Sequence, residues 1–558
     1  MTEFDVIIAG GGPSGLVLAS ELGRKGVSCL LLDLKPSTAF NPQANATQAR
    51  TMEHFRRLGF AQEIRALGLP SDHPTDIAYF TRLSTHELAR LSLPTAAQAV
   101  EHIKTLKGSW SAAELPHRVS QKFVETVLKK HAAQHALNDI RFGWKVLNFE
   151  NHSDHVIVHA APCADGQMGP TEHFKCKYLV GADGPRSTIR HQLGIAYTGE
   201  TGVKRNYMGG EMFAVYLRSS EIYKHIPHPR AWMYVTVNQQ RRCFLAAVDG
   251  HEQFAFHSAL HEGESAEHWG VDEVKTRLRE LMGCDVAFEI LSMQSWIAGH
   301  SLVAEHFSKD RVFLMGDAAH LFTPTGGLGY NTAVEDAVNL AWKLSHVIKG
   351  LASSELLQSY ELERRPLALR NTTYARQFAD SVGLYPVSDQ FELDTEEAQE
   401  ERSRASVHFN AHVRLEFNIP GVTFGGRYDQ SPIIVKDGST APKDEANHYE
   451  PSACPGGRPP HIWLEDGRSL YDAFGPEWTL LCNQSGEMDF STWMGVANNK
   501  GIELKCLHLP LKELQALYLE PLALIRPDQM VGWRGKSASP EKIEDLFDQL
   551  LGNKLAPI

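Results

Sequence analysis

Hydrophobic positions run through this chain in short blocks whose spacing switches between a strand period and a helix period, with glycines at the switches. Residues 4–34 set the pattern. Asp5–Ala9 is a short apolar strand, Gly10-Gly11-Gly12-Pro13-Ser14-Gly15 a turn, and Leu16, Val17, Ala19 and Leu22 one face of a helix that Gly26 ends. Ser28–Leu32 is a second buried strand, closed by Asp33. Strand, glycine turn, helix and strand in that order begin a parallel α/β sheet. Helical spacing returns over Arg50–Leu58 and Ser120–His135. Residues 74–101 are strand-like and mixed, and Val146–Phe149 and His155–Ala160 flank a polar turn as a hairpin.

Between about 205 and 290 the texture changes. Met212–Leu217, Trp232–Val237 and Cys243–Val248 are short aromatic and β-branched runs that predict an antiparallel sheet able to cover a pocket, and Glu273–Met282 reads as a helix. The apolar run Val312–Met315 stops at Gly316-Asp317, and Pro324, Gly326, Gly327 and Gly329 separate it from long helices over Asp336–Lys349 and Glu355–Asp380. The acidic run at 391–404 predicts a solvated helix face or connector. A Pro/Gly-rich boundary near 440 opens a last unit of strand and helix patterns, and there is no internal repeat.

Composition narrows the class. A chain of 558 residues supports two to four domains with ample core. A formal charge of −12 disfavours a nucleic-acid partner or an anionic membrane surface. No apolar run approaches the roughly 18 residues that span a bilayer, and the opening MTEFDVIIAGGG carries an acid where a signal peptide carries positive charge. The eight cysteines are scattered, without CxxC or zinc spacing, which reads as reduced thiols in a cytoplasmic protein. His257 and His261 stand four apart with no acid or third histidine to complete a metal motif, so no metal is expected.

Chemistry concentrates at three glycine-bearing strand ends. Gly10-x-Gly12-x-x-Gly15 follows a strand and opens a helix, and Asp33 lies 18 residues past the last glycine. That context fits a dinucleotide: a tight turn at Gly10, close approach of backbone to pyrophosphate at Gly12, helix-on-strand packing at Gly15, and a carboxylate for ribose hydroxyls. Leu179–Ser187, with Asp183-Gly184, is a second strand entering a turn. Gly316-Asp317 is a third, its acid placed for a sugar-like hydroxyl chain such as the ribityl of FAD.

In this order the motifs resemble the single-component FAD-dependent aromatic hydroxylases of the p-hydroxybenzoate hydroxylase fold. Pro455–Arg534 is similar to the thioredoxin-like tail of their phenol hydroxylase and polyketide hydroxylase branch. The resemblance implies a Rossmann-like FAD-binding domain (1–73, 102–190 and 288–380) interleaved with a β-sheet substrate domain (74–101 and 191–287). A connector (381–439) and a thioredoxin-like α/β domain (440–558) follow. It implies FAD contacts from Gly10, Gly12, Pro13, Ser14, Gly15 and Asp33, and from Arg50, Arg118, Gln121, Asp183 and Gly184. Gly316, Asp317, Pro324, Gly327, Leu328, Gly329, Tyr330 and Asn331 complete the set. Gln43, Leu328 and Tyr330 depart from the residues common in relatives, and the tail lacks CxxC, which makes it a structural or assembly unit.

The implied activity is hydroxylation of a phenolic or polycyclic aromatic compound through a flavin C4a-hydroperoxide. NADPH or NADH is a transient co-substrate, since no second dinucleotide fingerprint is present, and O₂ is the oxidant. The family also accommodates a homodimer. Tyr234, Arg242 and Pro324 are the substrate-side candidates. The alternatives on the same fold are a Baeyer–Villiger or epoxidising oxygenase and a catalytically silent flavin-binding protein.

Overall fold

In the computed structural model, residues 2–556 are described apart from 43, 202, 204–207, 262–263 and 265–268, so the departure at Gln43 lies outside the described residues. The apolar block at the start of the chain forms Thr2–Ala9, which pairs in parallel with Cys29–Asp33 on one side and with Glu172–Gly181 on the other. Val312–Leu314 pairs in parallel with Glu172–Gly181 in turn, and Asn138–Phe142 extends the far edge. The registers align three strand ends: Ala9 lies opposite Gly181, and Gly181 opposite Leu314. The three glycine motifs therefore leave one edge of one sheet, at the carboxyl ends of its strands. That is where open parallel sheets bind ligands.

A seven-stranded sheet stands over that edge. Its order is Glu289–Ala298, Gly210–Arg218, Gln253–Ala259, Arg242–Ala247, Met233–Val237, Ile77–Phe80 and Glu87–Leu91. Glu289–Ala298 pairs along Gly210–Arg218, so this sheet extends past the boundary expected at 287. Alternation gives it two unlike faces. Phe213, Val215, Phe256, Leu245, Tyr234 and Phe80 share one core with Val274, Leu278 and Leu281 of the Val271–Met282 helix. The opposite face carries Ala214, Ala246, Ala255 and Ala259 among larger side chains. It turns toward the first sheet: Lys122 Nζ donates to Tyr216 Oη (3.0 Å), and Asn41 Nδ2 donates to Gln294 Oε1 (3.0 Å).

The acidic run is the solvated face of a helix that continues past it. From Thr395, whose side chain caps the Ala398 amide, a helix runs over Glu396–Phe417 with two acids in its first turn. It buries Ala405, Phe409 and Val413 against the seven-stranded sheet, with Phe409 stacked on Tyr79 at 5.2 Å. Burial of that apolar stripe, not the charge of the other face, decides the segment's place.

The last unit is thioredoxin-like. Trp478–Cys482 pairs in parallel with Leu504–His508 and antiparallel with Leu522–Ile525, which pairs with Val531–Gly535. Two buried acids rivet it to the rest. Glu53 accepts from Arg458 Nη2 (2.6 Å) and Nε (3.1 Å), from Arg50 Nη1 (3.0 Å) and from the Ala113 amide (3.0 Å). Glu363 accepts from Arg526 (2.7 and 2.8 Å), Lys343 (2.7 Å) and Ser431 (2.7 Å). Among the described residues no helix is long and apolar enough to cross a membrane.

Candidate functional site

The cleft between the two large sheets is built from the strand ends upward. Gly10 sits at φ +115°, and a Cβ there would stand 2.1 Å from the Ala182 carbonyl oxygen. The first motif thus packs directly on the second. Gly316 closes the third contact: a Cβ on it would meet Ser14 Oγ at 3.0 Å and Ala333 Cβ at 3.2 Å. Gly12 differs. It caps the Pro13–Arg24 helix, and a Cβ there would meet nothing within 4 Å. Unpaired amides of the first helical turn face that free space and suit an anion.

Three carboxylates surround this point. Asp33 accepts the amides of Gly11 (2.6 Å) and Lys35 (2.7 Å), which fixes its orientation and leaves lone pairs for hydroxyls. Asp183 Oδ2 accepts the Ile189 amide (3.2 Å), and its Oδ1 is buried without a partner. Burial pushes its carboxyl up. Asp317 has an exposed side chain, yet surrounding protein pushes its carboxyl up against the pull of His320 and Lys35. A carboxylate both reachable and desolvated lines a deep cleft. The open helix terminus, the accessible Asp317 and the half-buried Asp33 fit the pyrophosphate, ribityl and ribose of FAD.

A buried network holds the third turn. Asp336 Oδ2 accepts from His320 Nε2 (2.6 Å) and the Gly316 amide (3.2 Å), and its Oδ1 accepts from Arg364 Nε (2.8 Å). Burial alone would raise the Asp336 carboxyl, but His320 and Arg364 outweigh it and lower it. Arg190 ties the second turn to the third by donating to the carbonyls of Pro185 (3.2 Å) and Ala318 (3.4 Å). The Gly326–Asn331 loop is pinned from two sides. Gln48 Nε2 donates to the Gly326 carbonyl (2.8 Å), the Gln48 amide to Asn331 Oδ1 (2.8 Å), and the Gly326 amide to Glu416 Oε1 (2.9 Å). None of Asp336, His320, Arg190, Gln48 or Glu416 stood out in the sequence. His320 in Gly316-Asp317-Ala318-Ala319-His320, Arg190 three residues past Leu179–Ser187 and Gln48 two residues before Arg50 each adjoined a motif or a candidate.

Gly10, Gly12, Pro13, Ser14, Gly15, Asp33, Asp183, Gly184, Gly316, Asp317, Gly327, Gly329 and Asn331 belong to these converging turns, and Pro324 is exposed on the same loop. Others part from expectation. Arg50 donates to Glu53 and to the carbonyls of Asp528 (3.3 Å) and Gln529 (3.0 Å), so it serves the thioredoxin-like unit rather than the cleft. Arg118 lies over the Trp232 ring at 4.5 Å and near Phe417 at 5.9 Å, against the substrate sheet. Burial pushes its guanidinium down to about 10. Gln121 Nε2 donates to Glu125 (2.7 Å) one helical turn on. Leu328 packs with Ala375, Phe378, Ile419 and Val422, leaving only its backbone for a ligand. Tyr330 packs against the core of the first sheet.

Both sheet candidates for substrate contact are corrected. Tyr234 lies on the face turned away from the cleft, where its Oη accepts the Ala231 amide (2.8 Å). Arg242 is on the cleft face, but its guanidinium donates to the carbonyls of Val382 and Tyr385 at the end of the Gln358–Gly383 helix. Its charge satisfies the orphan carbonyls of that terminus.

Residues 3–375 match the family described as FAD binding domain. The chain is 28% identical to phenol 2-monooxygenase of Pseudomonas sp. (strain EST1001), across 99% of this chain and 93% of that protein. It is 31% identical to aklavinone 12-hydroxylase DnrF of Streptomyces peucetius, across 87% and 92%. The crystal structure of aklavinone-11 hydroxylase with FAD and aklavinone superposes with a TM-score of 0.80 at 25% identity, covering 99% of both chains.

Proposed function

Because this chain belongs to the FAD binding domain family, among the flavoprotein aromatic hydroxylases, we propose that it hydroxylates a phenolic or polycyclic aromatic compound with NAD(P)H and O₂. The observation that carries the reading is the alignment of Ala9, Gly181 and Leu314, which brings three ligand-binding turns to one sheet edge beneath a second sheet. FAD held there would supply the redox chemistry: two electrons taken from the nicotinamide as hydride would let one oxygen atom of O₂ add to an electron-rich ring while the other leaves as water.

The chain's own residues bind, orient and exclude water. We assign the pyrophosphate to the amides at Gly12, with Gly10 and Gly15 shaping the turn, the adenosine ribose to Asp33 and the ribityl chain to Asp317. Asp336, through the Gly316 amide and His320, keeps Asp317 pointed into the cleft. Gln48, Glu416 and Asn331 fix the Gly326–Asn331 loop, so its backbone meets the flavin ring without rearranging. The alanine-rich face opposite gives an aromatic ring a flat, apolar floor. It keeps bulk water from the site, which suppresses wasteful decay of the oxidant.

The test is direct. The purified protein, loaded with FAD, is given NADPH or NADH and a panel of phenols, and product is followed by mass spectrometry. Acceleration of NAD(P)H oxidation by a phenol, with gain of one oxygen atom from labelled O₂, is the expected result. A flavin-loaded protein that oxygenates no phenol rejects the reading.

A further inference from the structure

Among the described residues, a buried histidine on the cleft face has no hydrogen-bond partner to account for it. His257, in the Gln253–Ala259 strand, is 6% exposed. Its cross-strand neighbours are Ala214 and Phe244, and the same row continues to Gln294 on one side and to Val235 and Tyr79 on the other. Each end of the row touches an element that frames the flavin cleft. Gln294 accepts from Asn41 (3.0 Å), five residues before Ala46, whose carbonyl holds Asn331 (3.0 Å). Tyr79 stacks on Phe409 (5.2 Å), on the helix whose Glu416 holds the Gly326 amide. His257 stands in the middle of the row, between these two contacts.

The imidazole is held in place by rings alone. It stacks on Phe244 (4.3 Å between centroids, 9° between planes) and meets Trp296 edge-on (6.0 Å, 78°). Nδ1 is buried without a partner, and among the described residues neither ring nitrogen makes a hydrogen bond. Three other buried histidines are paired, His320 with Asp336, His412 with Glu416 and His461 with Ser469, while His54 and His117, away from this sheet, also leave a ring nitrogen without a partner. A phenylalanine would satisfy the same stacking without stranding a buried polar atom. Ala214 beside it leaves room above the sheet.

We propose that His257 is the specificity-determining residue of the substrate site, accepting a hydrogen bond from the free hydroxyl of a phenolic ring laid against the alanine floor. The inference rests on the hydroxylase reading above and names what that site selects, a ring with an un-ionised hydroxyl in preference to its ether. Burial pushes the imidazole down to about 3, which keeps it neutral at physiological pH, with one lone pair free to accept. The hydroxyl is thereby fixed, and with it the ring carbons turned toward the flavin.

The test uses FAD-loaded wild type, His257→Phe and His257→Asn. Binding of 2-naphthol and of 2-methoxynaphthalene is read from the perturbed visible spectrum of the flavin, without turnover. Wild type is expected to bind the naphthol about five- to tenfold tighter than the ether, the range of one hydrogen bond. His257→Phe loses that ratio through weaker naphthol binding alone, His257→Asn keeps part of it, and all three retain FAD. A His257→Phe protein that keeps the ratio, or weakens on both probes equally, overturns the proposal, as does a wild type that does not discriminate. If the wild type hydroxylates phenols while the ratio survives in His257→Phe, only the role of His257 falls. If it oxygenates no phenol, the hydroxylase reading falls with it.

Discussion

Single atoms decide what each glycine and acid in the cleft does. A methyl group at Gly10 collides with the Ala182 carbonyl, whereas one at Gly12 meets free space. Gly10→Ala is therefore expected to destabilise the fold itself by about 2 kcal/mol or more. Gly12→Ala is expected to leave the thermal midpoint of the apoprotein unchanged and to weaken FAD binding about tenfold, because the new methyl occupies the approach to the helix terminus. Denaturation paired with FAD titration separates the two. Asp317 makes the complementary case. Though the side chain is exposed, the protein around it pushes its carboxyl up, so the apoprotein gains nothing from the charge. Asp317→Asn is expected to hold or raise the apoprotein midpoint while lowering FAD affinity, a trade expected of a residue kept for a ligand. A fall in midpoint with FAD binding intact contradicts it.

At the scale of elements, turns are rigid where helices supply their anchors. The Gly316-Asp317 turn hangs on Asp336, one residue of the long Leu328–Ile348 helix, and Asp336 in turn on Arg364 of the next helix. Asp336→Asn leaves the buried guanidinium with Glu335 (3.1 Å) as its remaining carboxylate partner, a loss of about 3 kcal/mol for groups so enclosed. The expected outcome is a lower denaturation midpoint together with reduced FAD content at purification. Normal FAD content would show that the turn holds without it. Arg242 acts in the same way for another element. It spends its charge on carbonyls at the end of the Gln358–Gly383 helix, which ties that end to the sheet. A sheet residue that looked like a substrate contact is thus a helix anchor.

For the molecule as a whole, the thioredoxin-like unit is bound by charge as much as by apolar packing. Burial would push the Glu53 carboxyl up, but Arg458 and Arg50 outweigh it and hold it at about 2. In the unfolded chain a glutamate ionises near 4.3. The folded state therefore binds the proton less readily, and the stability this contributes is complete above about pH 5 and lost as pH falls toward 2. The denaturation midpoint is expected to drop through that window. Glu53→Gln is expected to show a lower midpoint at pH 7 and a shallower decline below pH 5, and an unchanged slope would assign the acid sensitivity elsewhere.

Sequence alone determined the strand–turn–helix units, because a buried parallel strand, a glycine turn and a capped helix are local patterns read over a dozen residues. It placed the Gly10–Gly15, Asp183-Gly184 and Gly316-Asp317 turns and gave the family by resemblance, and it marked the 212–248 runs as sheet. Tertiary structure decided what faces what. Tyr234 and His257 both lie in strands of that sheet, and only the cross-strand register shows that one points to a far core and the other to the cleft. Arg50, Arg118 and Arg242 are cations near motifs, but apart from Glu53, three residues from Arg50, their partners come from segments up to 479 residues away, and long-range pairing leaves no local mark. Side-chain identity and spacing fix the elements; the choice of partner for a buried charge is made only when those elements pack.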